Sequence, residues 1–113
     1  MFDEVRRMAR ALPGAQEGTS YGTPAFQVRR KMFARLREDG DTLVLRCNFH
    51  ERAYLVESLP DVFHFTDHYR DYAYVLARLS AATPDVLRER LEDAYRAVAP
   101  KKLLAELDAR AEN

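Results

Sequence analysis

Ala25-Phe26-Gln27-Val28-Arg29-Arg30-Lys31-Met32-Phe33-Ala34-Arg35-Leu36-Arg37-Glu38-Asp39-Gly40-Asp41-Thr42-Leu43-Val44-Leu45 is the stretch that decides the fold. Side chains alternate with a period of two, the signature of strands with two different faces. Phe26 and Val28 alternate with Ala25 and Gln27, and Arg29-Arg30 supply a turn. Met32, Ala34 and Leu36 then alternate with Phe33, Arg35 and Arg37. Glu38-Asp39-Gly40-Asp41 places Asp-Gly at the centre of a second turn, and Leu43-Val44-Leu45 is a third strand. The reading is a three-stranded antiparallel meander.

Working outward, the period changes to that of helices. Upstream, Asp3 can cap a helix whose face is Val5, Met8, Ala9 and Leu12, with Pro13-Gly14 ending it. Residues 14–24 hold three of the four glycines and read as a long loop with room for a short edge strand. Downstream, Asn48 and Glu51 have the spacing of a capping box and open a helix to about Glu57, with Phe49, Ala53 and Val56 on one face. Val62-Phe63-His64-Phe65 and Tyr74 to Leu79 are two further strands. Thr83-Pro84 is a helix start, an N-cap followed by proline at the first helical position. Leu87, Leu91, Ala94, Tyr95 and Val98 mark the buried stripe of that helix. Pro100 breaks it, and Leu103, Leu104 and Leu107 mark a short last helix. The expected fold is α+β, one domain over residues 1–113, in the order α-β-β-β-α-β-β-α plus a short C-terminal helix, with an antiparallel sheet covered by helices. Whether the second group of strands joins the first in one sheet is left open by the pattern.

The chain has 113 residues, 47% apolar and 32% charged. A chain of that length buries roughly two-thirds of the surface its unfolded form exposes, enough for one core. Eighteen basic and eighteen acidic residues give a formal net charge of zero, which excludes a protein whose whole surface attracts polyanions. Cys47 is the single cysteine, so no intrachain disulfide forms. The N-terminus has no apolar leader, and no apolar run approaches the roughly 20 residues of a membrane span. A cytoplasmic protein with no membrane partner, monomeric or weakly dimeric, is expected.

Most catalytic patterns are missing. His64 and His68 are four apart across a strand end and a loop, where that spacing does not bring ligands together as it would on a helix; no metal is assigned. Ser20 lies in no nucleophile elbow. Gly14, Gly18 and Gly22 form neither a Walker loop nor a dinucleotide fingerprint, so no cofactor is expected. Cys47 reads as a small buried hydrophobe. No catalytic residue is assigned, and acid–base work by His68 is the remaining enzymatic reading.

Two stretches put hydroxyls, aromatics and titratable groups on loops, where functional groups concentrate. One is Ser20-Tyr21-Gly22-Thr23-Pro24-Ala25-Phe26. The other is Thr66-Asp67-His68-Tyr69-Arg70-Asp71-Tyr72, with Tyr74 just beyond. Residues 24–46 add a charge asymmetry: Arg29, Arg30, Lys31, Arg35, Arg37 and Arg46 stand against Glu38, Asp39 and Asp41, net +3 in a neutral chain. A solvated sheet face and a phosphate-facing patch both explain it.

These motifs fall in the order that marks a known family. Ala11-Leu12-Pro13-Gly14, the 20–26 stretch, Phe33-Ala34-Arg35-Leu36, Thr66-Asp67-His68-Tyr69-Arg70 and Ala99-Pro100-Lys101-Lys102-Leu103 resemble the MmcQ/YjbR family of small bacterial proteins over nearly the whole chain. That family's usual form has Gly in place of Asp71 and Trp in place of Tyr74, which implies weaker aromatic stacking here. The resemblance implies a fold like that of type III secretion chaperones and a DNA-binding role through a double wing of hairpins; it implies no enzymatic reaction. Fold alone does not establish function.

Two binding modes follow. In the first, Arg29, Arg30, Lys31, Arg35 and Arg37 meet the phosphates of DNA while Tyr69, Tyr72 or Tyr74 pack on sugars or bases. In the second, Ser20, Tyr21, Asp67, His68, Tyr69, Arg70, Tyr72 and Tyr74 gather round a cleft for a small molecule or a protein partner. The second requires the two tyrosine-rich loops to be neighbours in space.

Overall fold

A computed structural model describes residues 1–111. Helix α1 (Phe2–Arg10) leads into β1 (Ala15–Ser20), β2 (Thr23–Val28), β3 (Lys31–Leu36) and β4 (Thr42–Arg46). Then come α2 (Phe49–Ser58), the two-residue β5 (Phe63–His64), β6 (Tyr74–Arg78), α3 (Pro84–Val98) and α4 (Lys101–Ala111). All six strands form one antiparallel sheet in the order β1-β2-β3-β4-β6-β5. The α+β class is as expected, and the second group of strands does join the first. The stretch 14–24 is more ordered than a loop: β1 pairs with β2 along its whole length, from Ala15 opposite Val28 to Ser20 opposite Thr23. Its alternation is polar on both sides (Gln16, Glu17, Thr19) because an edge strand has little to bury, so period-two hydrophobicity does not reveal it.

Directly paired residues share a face, so the register sorts the sheet. One face carries the rows Phe26–Ala34–Leu45–Val75 and Leu36–Leu43–Ala77–Phe63. These join Val5, Ala9, Leu55, Leu87, Leu91, Ala94 and Tyr95 in one apolar core beneath the helices. The other face carries the row Ala25–Arg35–Val44–Leu76–His64. Val44 and Leu76 are fully buried there although they lie outside that core.

A bulge in β3 decides which face Phe33 occupies. Phe26 pairs with Ala34 but Gln27 with Met32, leaving Phe33 as the extra residue. Strict alternation expects Phe33 and Arg35 on one face. With the bulge, Phe33 joins Ala34 and Leu36 in the core, edge-on to Tyr95 at 5.8 Å, while Met32, Arg35 and Arg37 share the open face.

Local signals explain most boundaries. Asn48 accepts from the Glu51 N–H at 2.7 Å and Thr83 from the Val86 N–H at 3.3 Å, both as N-caps. Gly14 turns the chain at φ +71°, where an added Cβ would also lie 2.8 Å from Leu103 Cδ1. Nearby, the buried Tyr95 hydroxyl donates to the Pro13 carbonyl at 2.6 Å, tying α3 to the end of α1. Two expectations are corrected. The N-cap of α1 is Met1, with no side-chain cap. Asp3 sits inside the first turn, where its charge still favours the helix dipole. In α2 the buried face is Arg52 and Leu55, while Phe49 and Ala53 are exposed; an inward arginine rotates the helix from the face its apolar residues suggest.

Candidate functional site

The open face gathers its side chains from three places: the strands, the tip of the β1–β2 hairpin, and the 65–73 segment between β5 and β6. Arg35 is the meeting point. Only 7% exposed, it donates through Nη1 to Thr23 Oγ1 (3.1 Å) and Glu38 Oε1 (3.3 Å), and through Nη2 to the Tyr69 hydroxyl (3.4 Å). Its guanidinium carbon also stands 5.4 Å from the centre of the Tyr21 ring. Burial opposes its charge, but the bonds to Tyr69 and Glu38 outweigh that and hold its pKa above the ordinary value.

A band of aromatics and arginines therefore crosses the open face. From Tyr21 it runs through Arg35 to Tyr69, whose ring meets Tyr74 at 6.0 Å. Arg46 lies over Tyr74 at 5.7 Å, and on the other side His68 packs edge-on to Tyr69 at 4.8 Å and Tyr72 lies 6.4 Å from His68. The 20–26 and 66–74 segments are brought together, as the shared-site reading requires, but Arg35 bridges them. Tyr21, His68 and Tyr69 line none of the cavities described. Ser20 lies at the start of the turn, its carbonyl accepting from Thr23 Oγ1 at 2.9 Å. Asp67 and Arg70 are exposed and neutralise each other at 2.6 Å.

The basic residues separate. Arg29 and Arg30 form the two-residue β2–β3 turn, with Lys31 beside them, all exposed. The antiparallel order puts this turn at the same end of the sheet as Arg46, Tyr74 and the 65–73 segment. Among the described residues no carboxylate lies within 4.0 Å of Arg29, Arg30, Lys31, Arg37 or Arg46. Arg37 lies at the opposite end, beside the acidic β3–β4 turn. There Asp39 accepts from Thr42 Oγ1 (2.7 Å) and from the N–H groups of Asp41 and Thr42 (2.9 Å each). The bond from Thr42, then that from the Asp41 N–H, hold its carboxyl below the ordinary range. Burial, then the neighbouring Arg78 and Arg37, lower the pKa of His64 on the same face.

Both hairpin tips store strain. Tyr21 (φ 54°), Arg29 (φ 50°) and Arg30 (φ 69°) occupy the left-handed region, which costs a non-glycine residue of order 1 kcal/mol or more. A two-residue turn with both φ positive selects Asn-Gly on stability grounds. Arg-Arg there departs from that preference.

Sequence reasoning missed Arg52. It is 7% exposed, and its guanidinium carbon lies 4.8 Å from the Phe49 ring centre and 4.1 Å from that of Phe65. It donates to the carbonyls of Tyr69 (3.0 Å), Tyr72 (3.0 Å), Tyr74 (3.2 Å) and Arg70 (2.9 Å). One side chain thus fixes the backbone that carries the site's tyrosines. Nothing in the spacing of α2 distinguishes it from a solvated arginine. Arg78, also missed, is partly committed to the Pro60 and Asp61 carbonyls.

A cavity of about 360 Å³ lies on the helix side, lined by Arg46, Cys47, Glu51, Arg90 and Asp93 among others. Arg90 is already engaged by Glu51 (3.0 Å), Glu89 (3.2 Å) and Asp93 (2.9 Å), an ion network that pins α2 to α3. Burial pushes the Cys47 thiol up to about 11, so almost no thiolate exists at neutral pH. Alkylation of native protein at about pH 8 should therefore be far slower than of urea-unfolded protein; equal rates would show the thiol to be exposed and reactive. No group of His, Cys, Asp and Glu among the described residues could hold a metal. No helix among them is long and apolar enough to cross a membrane.

The fold has a solved counterpart. A Deinococcus radiodurans protein of domain family DUF419 has a crystal structure similar to this chain, with a TM-score of 0.76 at 21% identity, covering 96% of this chain and 88% of that one. At that identity the likeness shows the fold. Among curated proteins there is no match. The sequence profile of the family described as YjbR matches residues 10–97, more than three-quarters of the chain, and this protein therefore belongs to the YjbR family.

Proposed function

We propose that this protein binds nucleic acid on the helix-free face of its sheet. The observation that carries the reading is the band Tyr21–Arg35–Tyr69–Tyr74–Arg46, which ends beside cations that have no carboxylate within 4.0 Å among the described residues. Arg29, Arg30 and Arg46, with Lys31 reaching round the same end of the sheet from the helix side, where it pairs with Val28, supply phosphate contacts; His68, Tyr69, Tyr72 and Tyr74 supply flat faces for sugars or bases. Arg35 leaves the set of phosphate contacts: it is buried, Thr23, Glu38 and Tyr69 take three of its five donors, and its part is to hold the band together. Phe2, Met8 and the other core-side residues of the helices take no part.

Titrating a fluorescein-labelled oligonucleotide at several salt concentrations tests this. Four phosphate contacts give a log–log slope of roughly −3 to −4, at about −0.7 per contact on single strands and −0.9 on duplex. An affinity independent of salt, or no binding at low salt, rules the reading out.

A further inference from the structure

We infer that the nucleic acid this face takes is single-stranded, its bases stacking on Tyr21, Tyr69 and Tyr72. The inference rests on the nucleic-acid reading above and deepens it. Tyr21 is 88% exposed and Tyr72 is 59% exposed, so large aromatic faces stand in water at the two ends of the band. Tyr21 is held there at φ 54°, on a strained turn that glycine would relieve. A duplex offers such rings nothing, because its base faces are stacked inside the helix; an unpaired strand offers a π-face at every nucleotide. From β2 to β6 the band crosses three strand spacings of about 4.8 Å, room for a few splayed bases.

Charge agrees with that geometry. The unpaired cations Arg29, Arg30, Lys31 and Arg46 occupy one end of the sheet, whereas Glu38, Asp39 and Asp41 occupy the other. A rigid duplex laid across the face would bring its phosphates against those carboxylates. The band runs from Tyr21 at the acidic end to Tyr74 at the basic end, and a flexible strand can set a base on Tyr21 while its backbone turns away from the carboxylates and meets the cations at the other end.

The test compares labelled oligo-dT with a dA·dT duplex of the same length and dye, at low salt, with an oligo-U arm to tell RNA from DNA. Oligo-dT or oligo-U should bind at least tenfold tighter than the duplex. Tyr72→Ala and Tyr21→Ala should each weaken the single strand roughly tenfold and weaken the duplex by clearly less; both sites are exposed, and circular dichroism confirms folding. Duplex binding as tight as or tighter than single-strand binding, or tyrosine variants without effect, overturns the strand inference and leaves the nucleic-acid reading in place. Binding to none of the three overturns both.

Discussion

Replacing Arg52 with methionine is expected to lower the unfolding free energy by about 3 kcal/mol, a large part of the 5–15 kcal/mol typical of a domain. Methionine keeps an apolar stem between Phe49 and Phe65 but removes every donor that holds the 69–74 backbone. Each hydrogen bond to a charged group contributes about 1.5–3 kcal/mol. The four together contribute less than their sum, since partly buried carbonyls recover water when the segment loosens. Lysine should recover little. An ammonium has three donors and no planar fork, and it stacks poorly between two rings. Urea unfolding of wild type, Arg52→Met and Arg52→Lys measures the effect. A loss below about 0.5 kcal/mol for methionine would mean that the 69–74 segment holds its shape without Arg52. The same variants should bind oligonucleotide more weakly even where fully folded, because Tyr69 and Tyr72 lose their fixed places.

That residue also shows where sequence reading stops. The meander was legible because strand pairs alternate and Asp39-Gly40 is a strong turn signal; Asn48 and Thr83 were legible because capping chemistry is local. The β1 edge strand was less so, since an edge with polar residues on both sides has no hydrophobic period. The bulge at Phe33 was invisible in principle: it depends on pairing across strands, and it turns Phe33 into the core while Arg35 keeps the open face that its alternation with Ala34 and Leu36 gives it. The two tyrosine-rich segments could be singled out by composition, and their contact through Arg35 follows only from the fold. Arg52 gave no signal because an arginine's role is set by what surrounds its guanidinium, and here that is backbone some 20 residues away.

The double substitution Arg29→Asn with Arg30→Gly should stabilise the fold and weaken binding together. Asn-Gly relieves two left-handed residues at the β2–β3 turn, and a gain of about 1–2 kcal/mol is expected. The same change removes two of the four unpaired cations at the basic end. Each phosphate contact contributes roughly tenfold in affinity near 0.1 M salt through counterion release, so the loss should approach a hundredfold, with the salt slope smaller by about 1.5 to 2. Opposite signs in stability and affinity separate this effect from misfolding. A variant that is more stable and binds as well as wild type would show that the turn arginines meet no phosphate, and would leave their strained backbone unexplained.

The most direct test of the open face is amide chemical-shift mapping of isotope-labelled protein titrated with oligo-dT at low salt. Saturable shifts should concentrate at residues 21–23, 29–31, 35, 46 and 66–74, with α1, α3 and α4 quiet. Shifts centred instead on the helices, or no saturable shifts at any ratio, would contradict the assignment of nucleic-acid binding to the open face.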